Sequence, residues 1–321
     1  MNDKPKVSEE TRRAIQEYAK KMEYKPNKLA QSLARNPKII GFITPAYPDD
    51  FMRYVVDGIN RAVKDLIDYN VQGMLKTAKT SKESSKAARE LIAKKVDGII
   101  LLANQVVPGI NDLIEELEIK DLPIAGIVSA PTDGTPLIGM VKSDGHVLGR
   151  MAAQFLSLCM DKSKQLAIFL PQEDAIIHRE SYESFEKSSV KLGMNKPLLF
   201  NSSLEGVEAE SEITRRIIES HSDIGGIYVA SNNSVGVCLC LEEMGRTDIK
   251  VIGHDLYPAL AGCIERGSLD ATLFQNQYLQ MQTAVDLMFL HITENRKPFG
   301  VKSIRPELVM LSNLSCYKDM Y

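Results

Sequence analysis

From Ile39 onward the chain alternates between two hydrophobic textures. Short runs of six to eight residues, among them "IIGFITP", "VQGMLKTA", "DGIILLA", "PIAGIVS", "QLAIFLP", "KPLLFN", "GGIYVAS" and "IKVIGHD", predict buried strands. Between them, stretches such as "DDFMRYVVDGINRAVKDLIDYN", "SKESSKAARELIAKKV", "HVLGRMAAQFLSLCM", "ESYESFEKSSVKLG", "EAESEITRRIIES" and "NSVGVCLCLEEMG" predict helices. Strand and helix in alternation mean βαβ crossovers, hence an α/β fold with parallel sheets covered on both faces. The strands outnumber what one sheet comfortably holds, so the pattern predicts two Rossmann-like lobes that divide near residue 162.

Ahead of this body the texture differs. Ser8, followed by Glu9 and Glu10, caps a helix whose Ile15, Tyr18, Ala19 and Met22 share one face. Pro26 stops it, Asn27 can cap a second helix, and "KLAQSLAR" runs on towards Pro37. That second helix spans only about nine residues, under the roughly 12–15 at which isolated helices become marginal in water. Something outside it must hold it.

Composition narrows the function classes. With 321 residues, 44% of them hydrophobic, the chain can bury a large core. It has no apolar run long enough to span a membrane, and "MNDKPKVSEETRR" does not resemble an export signal, so a cytoplasmic protein without a membrane partner is expected. The five cysteines, Cys159, Cys238, Cys240, Cys263 and Cys316, are odd in number and scattered, which predicts reduced core thiols. Charge is segregated: residues 1–38 carry 10 Lys+Arg against 5 Asp+Glu, whereas the remainder carries 29 against 37. A basic arm on an acidic body is what contact with nucleic-acid phosphates requires, although a solvated helix face would read the same way.

In open parallel sheets ligands bind beyond the carboxyl ends of the strands. Those ends are polar here. Tyr47 and Phe51 follow the first strand and Ser129 follows "AGIV"; Arg179 and Ser181 sit in an expected loop "QEDAIIHRES". Ser231 and Asn232 follow "GIYVA", Asp255 follows "VIGH" and Gln275 follows "ATLF". Carboxylate, amide and guanidinium groups around an aromatic ring suit a small polyhydroxylated ligand. The usual catalytic signatures, a phosphate loop, a GxSxG elbow, HExxH or GxGxxG, are not found, nor is a nucleophile paired with a base, so no enzyme is expected, and no metal or cofactor. Cys238-Leu-Cys240 has the wrong spacing for zinc.

The stretch "VSEETRRAIQEYAKKMEYKPNKLAQSLARNPKIIGFITP" resembles the junction in transcription regulators of the lactose-repressor/purine-repressor family, where a DNA-binding head passes through a hinge helix into a periplasmic-binding-protein-like core of type I. The likeness continues through "KKVDGIILLA", "VKSDGHVLG", "YVASNNSVGV", "VIGHDLYP" and "SLDATLFQNQYLQM". It implies a head-and-hinge remnant at 1–37, an N-terminal lobe of 38–162 with 277–302, and a C-terminal lobe of 163–276 with 303–321. It further implies a homodimer whose paired hinge helices enter the minor groove of operator DNA, Leu33 wedging between base steps with Asn27, Ala30 and Gln31 beside it. A carbohydrate-like effector between the lobes would control that contact through Asp255, Gln275 and either Ser231 or Asn232. Arg179 lies two residues before the family's arginine position, here Ser181, and Ser129 replaces a frequent aspartate. The family carries two further helices ahead of "NDKPKVSEETR", so the chain is expected to be the effector-sensing, dimerising portion of a regulator. A solute-binding protein with no DNA role is the alternative.

Overall fold

The computed structural model describes residues 8–22, 36–46, 50–102, 110–118, 121–129, 131, 134–171, 175–202, 206–231 and 233–321. The first helix, α1 (Glu9–Lys21), starts as its cap foretells: Ser8 Oγ accepts the Thr11 amide at 3.3 Å. Among the described residues nothing covers its apolar stripe, with Ile15, Tyr18 and Met22 all exposed. The expected hinge helix, with Asn27, Ala30, Gln31 and Leu33, lies outside the described residues.

The body holds two six-stranded sheets of matching design. In the first, β1 (Lys38–Pro45), β2 (Val71–Ala78), β3 (Gly98–Leu102), β4 (Ile124–Ile127), β5 (Gly139–Lys142) and β11 (Gly300–Ser303) are ordered β11-β5-β4-β3-β1-β2. In the second, β6 (Gln165–Pro171), β7 (Leu198–Ser202), β8 (Ile224–Val229), β9 (Lys250–His254), β10 (Ala271–Phe274) and β12 (Glu307–Val309) are ordered β12-β10-β9-β8-β6-β7. Pairing is parallel throughout the first sheet, and in the second only β12 runs antiparallel, against β10. The order reverses beside β1 in one sheet and beside β6 in the other, which opens a crevice at those strand ends.

Two helices cross between the lobes, and here the expected boundary moves. α5 (Gly145–Cys159) leaves β5 of the first sheet but buries Leu148, Ala152, Ala153 and Leu156 with Leu166, Ile168 and Tyr228 of the second. The chain therefore changes lobe at residues 143–144 rather than near 162, because this helix's apolar face matches the second core. In the opposite sense, α10 (Gln277–Glu294) leaves β10 of the second sheet and buries Met281, Ala284, Val285 and Met288 with Ile40, Phe42 and Ile100 of the first. α5 can reach its place because Gly149 lets it approach α6 (Ile176–Lys191): a Cβ at Gly149 would lie 2.2 Å from the Ser181 carbonyl and 2.2 Å from Ser184 Oγ.

The cysteine expectation holds in part. Cys238, Cys240 and Cys263 are buried, whereas Cys159 and Cys316 are exposed. Among the described residues no helix is long and apolar enough to cross a membrane.

Candidate functional site

The ends of β9 and β10 meet at one buried carboxylate. Asp255 directly follows β9, adopts a left-handed φ of 69° and is only 4% exposed. Backbone bonds hold that conformation: its amide donates to the Leu273 carbonyl at 3.0 Å, and its carbonyl accepts Thr272 Oγ1 at 2.7 Å. Its Oδ1 accepts Gln275 Nε2 at 3.0 Å and, more tightly, Gln277 Nε2. Burial outweighs these two amide bonds and pushes the carboxyl pKa up to about 7. Both glutamines keep a buried Oε1 with no partner among the described residues.

Beneath it lies a neutral imidazole. His254, 3% exposed, is held down to about 3 chiefly by burial, and Tyr228 shares a hydrogen bond of 2.6 Å with its Nε2. Because burial pushes the Tyr228 hydroxyl well above the ordinary tyrosine range, that hydroxyl donates and the imidazole accepts.

Other strand ends contribute hydroxyls. Ser129 follows β4 and is 3% exposed, with an Oγ that has no partner among the described residues; the same holds for Thr44 Oγ1 in β1 and Ser143 Oγ after β5. Buried polar atoms are normally satisfied, so unpartnered ones gathered at the carboxyl ends of parallel strands point to a polar ligand or ordered water. Ser129 is aimed by strain: its amide donates to the Ile127 carbonyl at 2.8 Å, closing a γ-turn around Val128 at φ 66°. A β-branched residue there is an outlier of the kind that clusters at functional sites. Ser231, 5% exposed, accepts the Asn233 amide at 3.3 Å, which shapes the start of α8 (Ser234–Glu243).

The structure redistributes the other candidates. Tyr47 and Asn232 lie outside the described residues, and of Phe51 only the backbone, at the start of α2 (Asp50–Lys64), is described. Arg179 and Ser181 are not in a loop, since α6 already begins at Ile176. Ser181 is wholly buried and donates to the Gly145 carbonyl at 3.2 Å. It is a contact between α5 and α6, not a residue open to a ligand; Arg179 is exposed.

Tyr54 was missed by sequence reasoning. It lies on α2 of the first lobe yet packs against the second lobe's core, and burial, with the nearby Asp255 carboxylate adding to it, pushes its hydroxyl up to about 12. With Asp57, Gly58 and Arg61 along the same helix face, and with Tyr278, Asp319, Met320 and Tyr321, it lines a shallow recess open to solvent. The helical spacing from Phe51 to Tyr54 was the available signal. Among the described residues, no group of three or more His, Cys, Asp or Glu could hold a metal ion.

Comparison with known proteins agrees with this geometry. A periplasmic binding protein domain matches residues 40–296. Catabolite control protein A of Priestia megaterium is 23% identical over 79% of this chain and 76% of its own length. The transcriptional regulator RegA of Clostridium acetobutylicum is 33% identical, over only 37% of this chain and 35% of its own length. Among solved structures, the solute-binding protein of an ABC transporter from Bacillus halodurans C-125, with bound myo-inositol, superposes with a TM-score of 0.76 at 19% identity, covering 89% of this chain and 99% of that one. The matched family model takes in strands of both sheets, all but the edge strands β11 and β12, and the helices exchanged between them, and the chain belongs to the periplasmic binding protein domain family.

Proposed function

We propose that this chain is the effector-sensing part of a transcription regulator, that it binds a small carbohydrate between its lobes, and that lobe orientation sets how its N-terminal segment meets DNA. The observation that carries the sugar half is the Asp255 carboxylate with Gln275 and Gln277 bound to it, each glutamine holding a free buried carbonyl oxygen. Carboxylate and amide groups in that arrangement receive and donate to vicinal hydroxyls. Ser129, Ser231, Tyr47, Phe51, Asn232 and Arg179 complete the proposed set.

The DNA half rests on the basic residues 1–38, on the exposed apolar stripe of α1, and on the likeness to catabolite control protein A and RegA. Asn27, Ala30, Gln31 and Leu33 would enter the minor groove from a homodimer. An effector that prefers one lobe arrangement shifts the population of the other, and with it the spacing of the two hinge segments. A solute-binding role, suggested by the myo-inositol-bound neighbour, gives the basic segment no task.

Calorimetric titration with pentoses, hexoses and inositols tests the sugar half: one class is expected to bind the wild-type chain, and Asp255→Ala to abolish that binding. Fluorescence anisotropy with duplex DNA, run with and without the sugar that binds, tests the other half. Sugar binding with no salt-dependent DNA affinity would leave the solute-binding reading standing.

A further inference from the structure

Asp255 is held from both lobes. Within the second sheet, Thr272 Oγ1 donates to its carbonyl at 2.7 Å and Gln275 Nε2 to its Oδ1 at 3.0 Å. The other donor to Oδ1, Gln277 Nε2, belongs to the first residue of α10, whose Met281, Ala284, Val285 and Met288 lie in the first core. Contacts with α2 seat α10 further in that lobe. Tyr278 Oη and Gln282 Nε2 lie 3.5 and 3.4 Å from Asp65 Oδ2, and the Arg61 guanidinium stands 6.0 Å from the centre of the Tyr278 ring. Only Gln275 and Asn276 separate β10 from α10. That corner is fixed: Asn276 takes a left-handed φ of 51° and caps α10 through its Oδ1, which accepts the Leu279 amide at 3.0 Å. Gln280 Nε2 reaches back to the Gln275 carbonyl, also at 3.0 Å. A corner so braced passes any rotation of α10 on to the Gln277 side chain. On Asp255 both side-chain donors take Oδ1, and Oδ2 has no partner among the described residues.

We propose that Gln277 is a positioning residue that makes ligand capture at Asp255 conditional on how the first lobe is seated against the second. The inference rests on the reading of Asp255 as the residue that receives the carbohydrate. With α10 in its present seat, Gln277 and Gln275 together occupy Oδ1, which orients the carboxylate and leaves Oδ2 to accept a ligand hydroxyl. When α10 moves with the first lobe, the Gln277 amide is withdrawn and Asp255 keeps one side-chain donor in place of two. A buried carboxylate with fewer donors is less firmly oriented and more readily protonated, so it receives the ligand less well. The ligand therefore prefers the arrangement in which Gln277 reaches Asp255, and by reciprocity its binding stabilises that arrangement. Thr272 cannot act in this way, because it lies in β10 and travels with Asp255 in the second lobe.

Two variants separate this role from a merely structural one. Gln277→Met keeps the side chain's length and removes its donor, whereas Thr272→Val removes a donor to Asp255 that never leaves the second lobe. Small-angle X-ray scattering of the ligand-free protein, in line with size exclusion, is expected to give Gln277→Met a larger radius of gyration than wild type and Thr272→Val the wild-type value. Calorimetric titration with D-ribose, D-glucose and myo-inositol is expected to show roughly tenfold weaker binding by Gln277→Met of whichever sugar binds wild type. Saturation with that sugar should return the radius towards the wild-type value. Gln277→Asn, whose amide sits one carbon shorter, is the milder change and should move both readouts the same way if the Met variant does not fold. An unchanged radius overturns the inference, as does an unchanged affinity for a sugar that binds, and either result leaves Asp255 as a sugar residue. Equal changes in Gln277→Met and Thr272→Val overturn it too. If none of the three sugars binds wild type and the radius still grows, the tie between the lobes stands and the sugar reading falls.

Discussion

Lys142 Nζ lies 3.0 Å from Glu180 Oε2 and 3.1 Å from Oε1, and this pair joins the two lobes. Lys142 ends β5 of the first sheet, Glu180 stands on α6 of the second lobe, and both side chains are mostly shielded, at 16% and 22% exposure. An ion pair at this depth is worth on the order of 1 kcal/mol, more than a fully exposed one. Lys142→Met is expected to lower Tm by a few degrees, with Glu180→Gln recovering part of the loss in the double variant. Additive losses, read by calorimetry, would show that the pair does not couple the lobes.

Asp255 should make stability fall with rising pH. Its folded pKa of about 7 lies above the ordinary carboxylate value, so between about pH 4 and pH 7 the unfolded chain has released a proton that the folded chain keeps. That contribution is complete below the unfolded value and lost as pH climbs through 7. His254 slopes the other way: held at about 3, it stays neutral when folded and costs stability as pH drops below about 6.5. The two windows overlap, so the Asp255 term is isolated by difference. Urea unfolding of wild type and Asp255→Asn from pH 4 to 8 should show the variant gaining on wild type as pH rises; a constant gap would mean that Asp255 titrates normally.

Gly149→Ala replaces a poor helix former with the best one, a gain of about 1 kcal/mol in an open helix. Here the added Cβ would strike the Ser181 carbonyl and Ser184 Oγ. A net loss of about 2–4 kcal/mol is expected in chemical denaturation, since overpacking a rigid helix contact outweighs propensity.

Ser181→Ala and Tyr54→Phe should behave in opposite ways. Ser181 serves helix packing, so its variant is expected to keep sugar affinity and lose about 1 kcal/mol of stability. Tyr54 joins the first lobe to the Asp255 neighbourhood, so its variant is expected to weaken sugar binding by roughly tenfold, a loss of about 1.4 kcal/mol. Calorimetric titration of both variants against one sugar measures the contrast.

What the sequence determined by itself was local and periodic. The runs "VQGMLKTA" and "QLAIFLP" coincide with β2 and β6 to the residue, although only β6 is the buried strand expected; β2 lies at the sheet edge and buries only Val71 and Ala78. Asp255 and Gln275 were legible as well, since a polar residue following an apolar strand has few other places to go. The strands β5 and β11 escaped, since "GMVK" and "GVKS" carry no continuous apolar run of the kind that marks β4. Only the tertiary structure decided that α5 leaves one sheet to pack on the other, that Ser181 belongs to a helix contact, and that Tyr54 and Gln277 join Asp255. Those outcomes depend on which of two similar apolar cores a helix face fits, and on contacts between residues far apart in the chain, neither of which leaves a mark in local hydrophobic pattern.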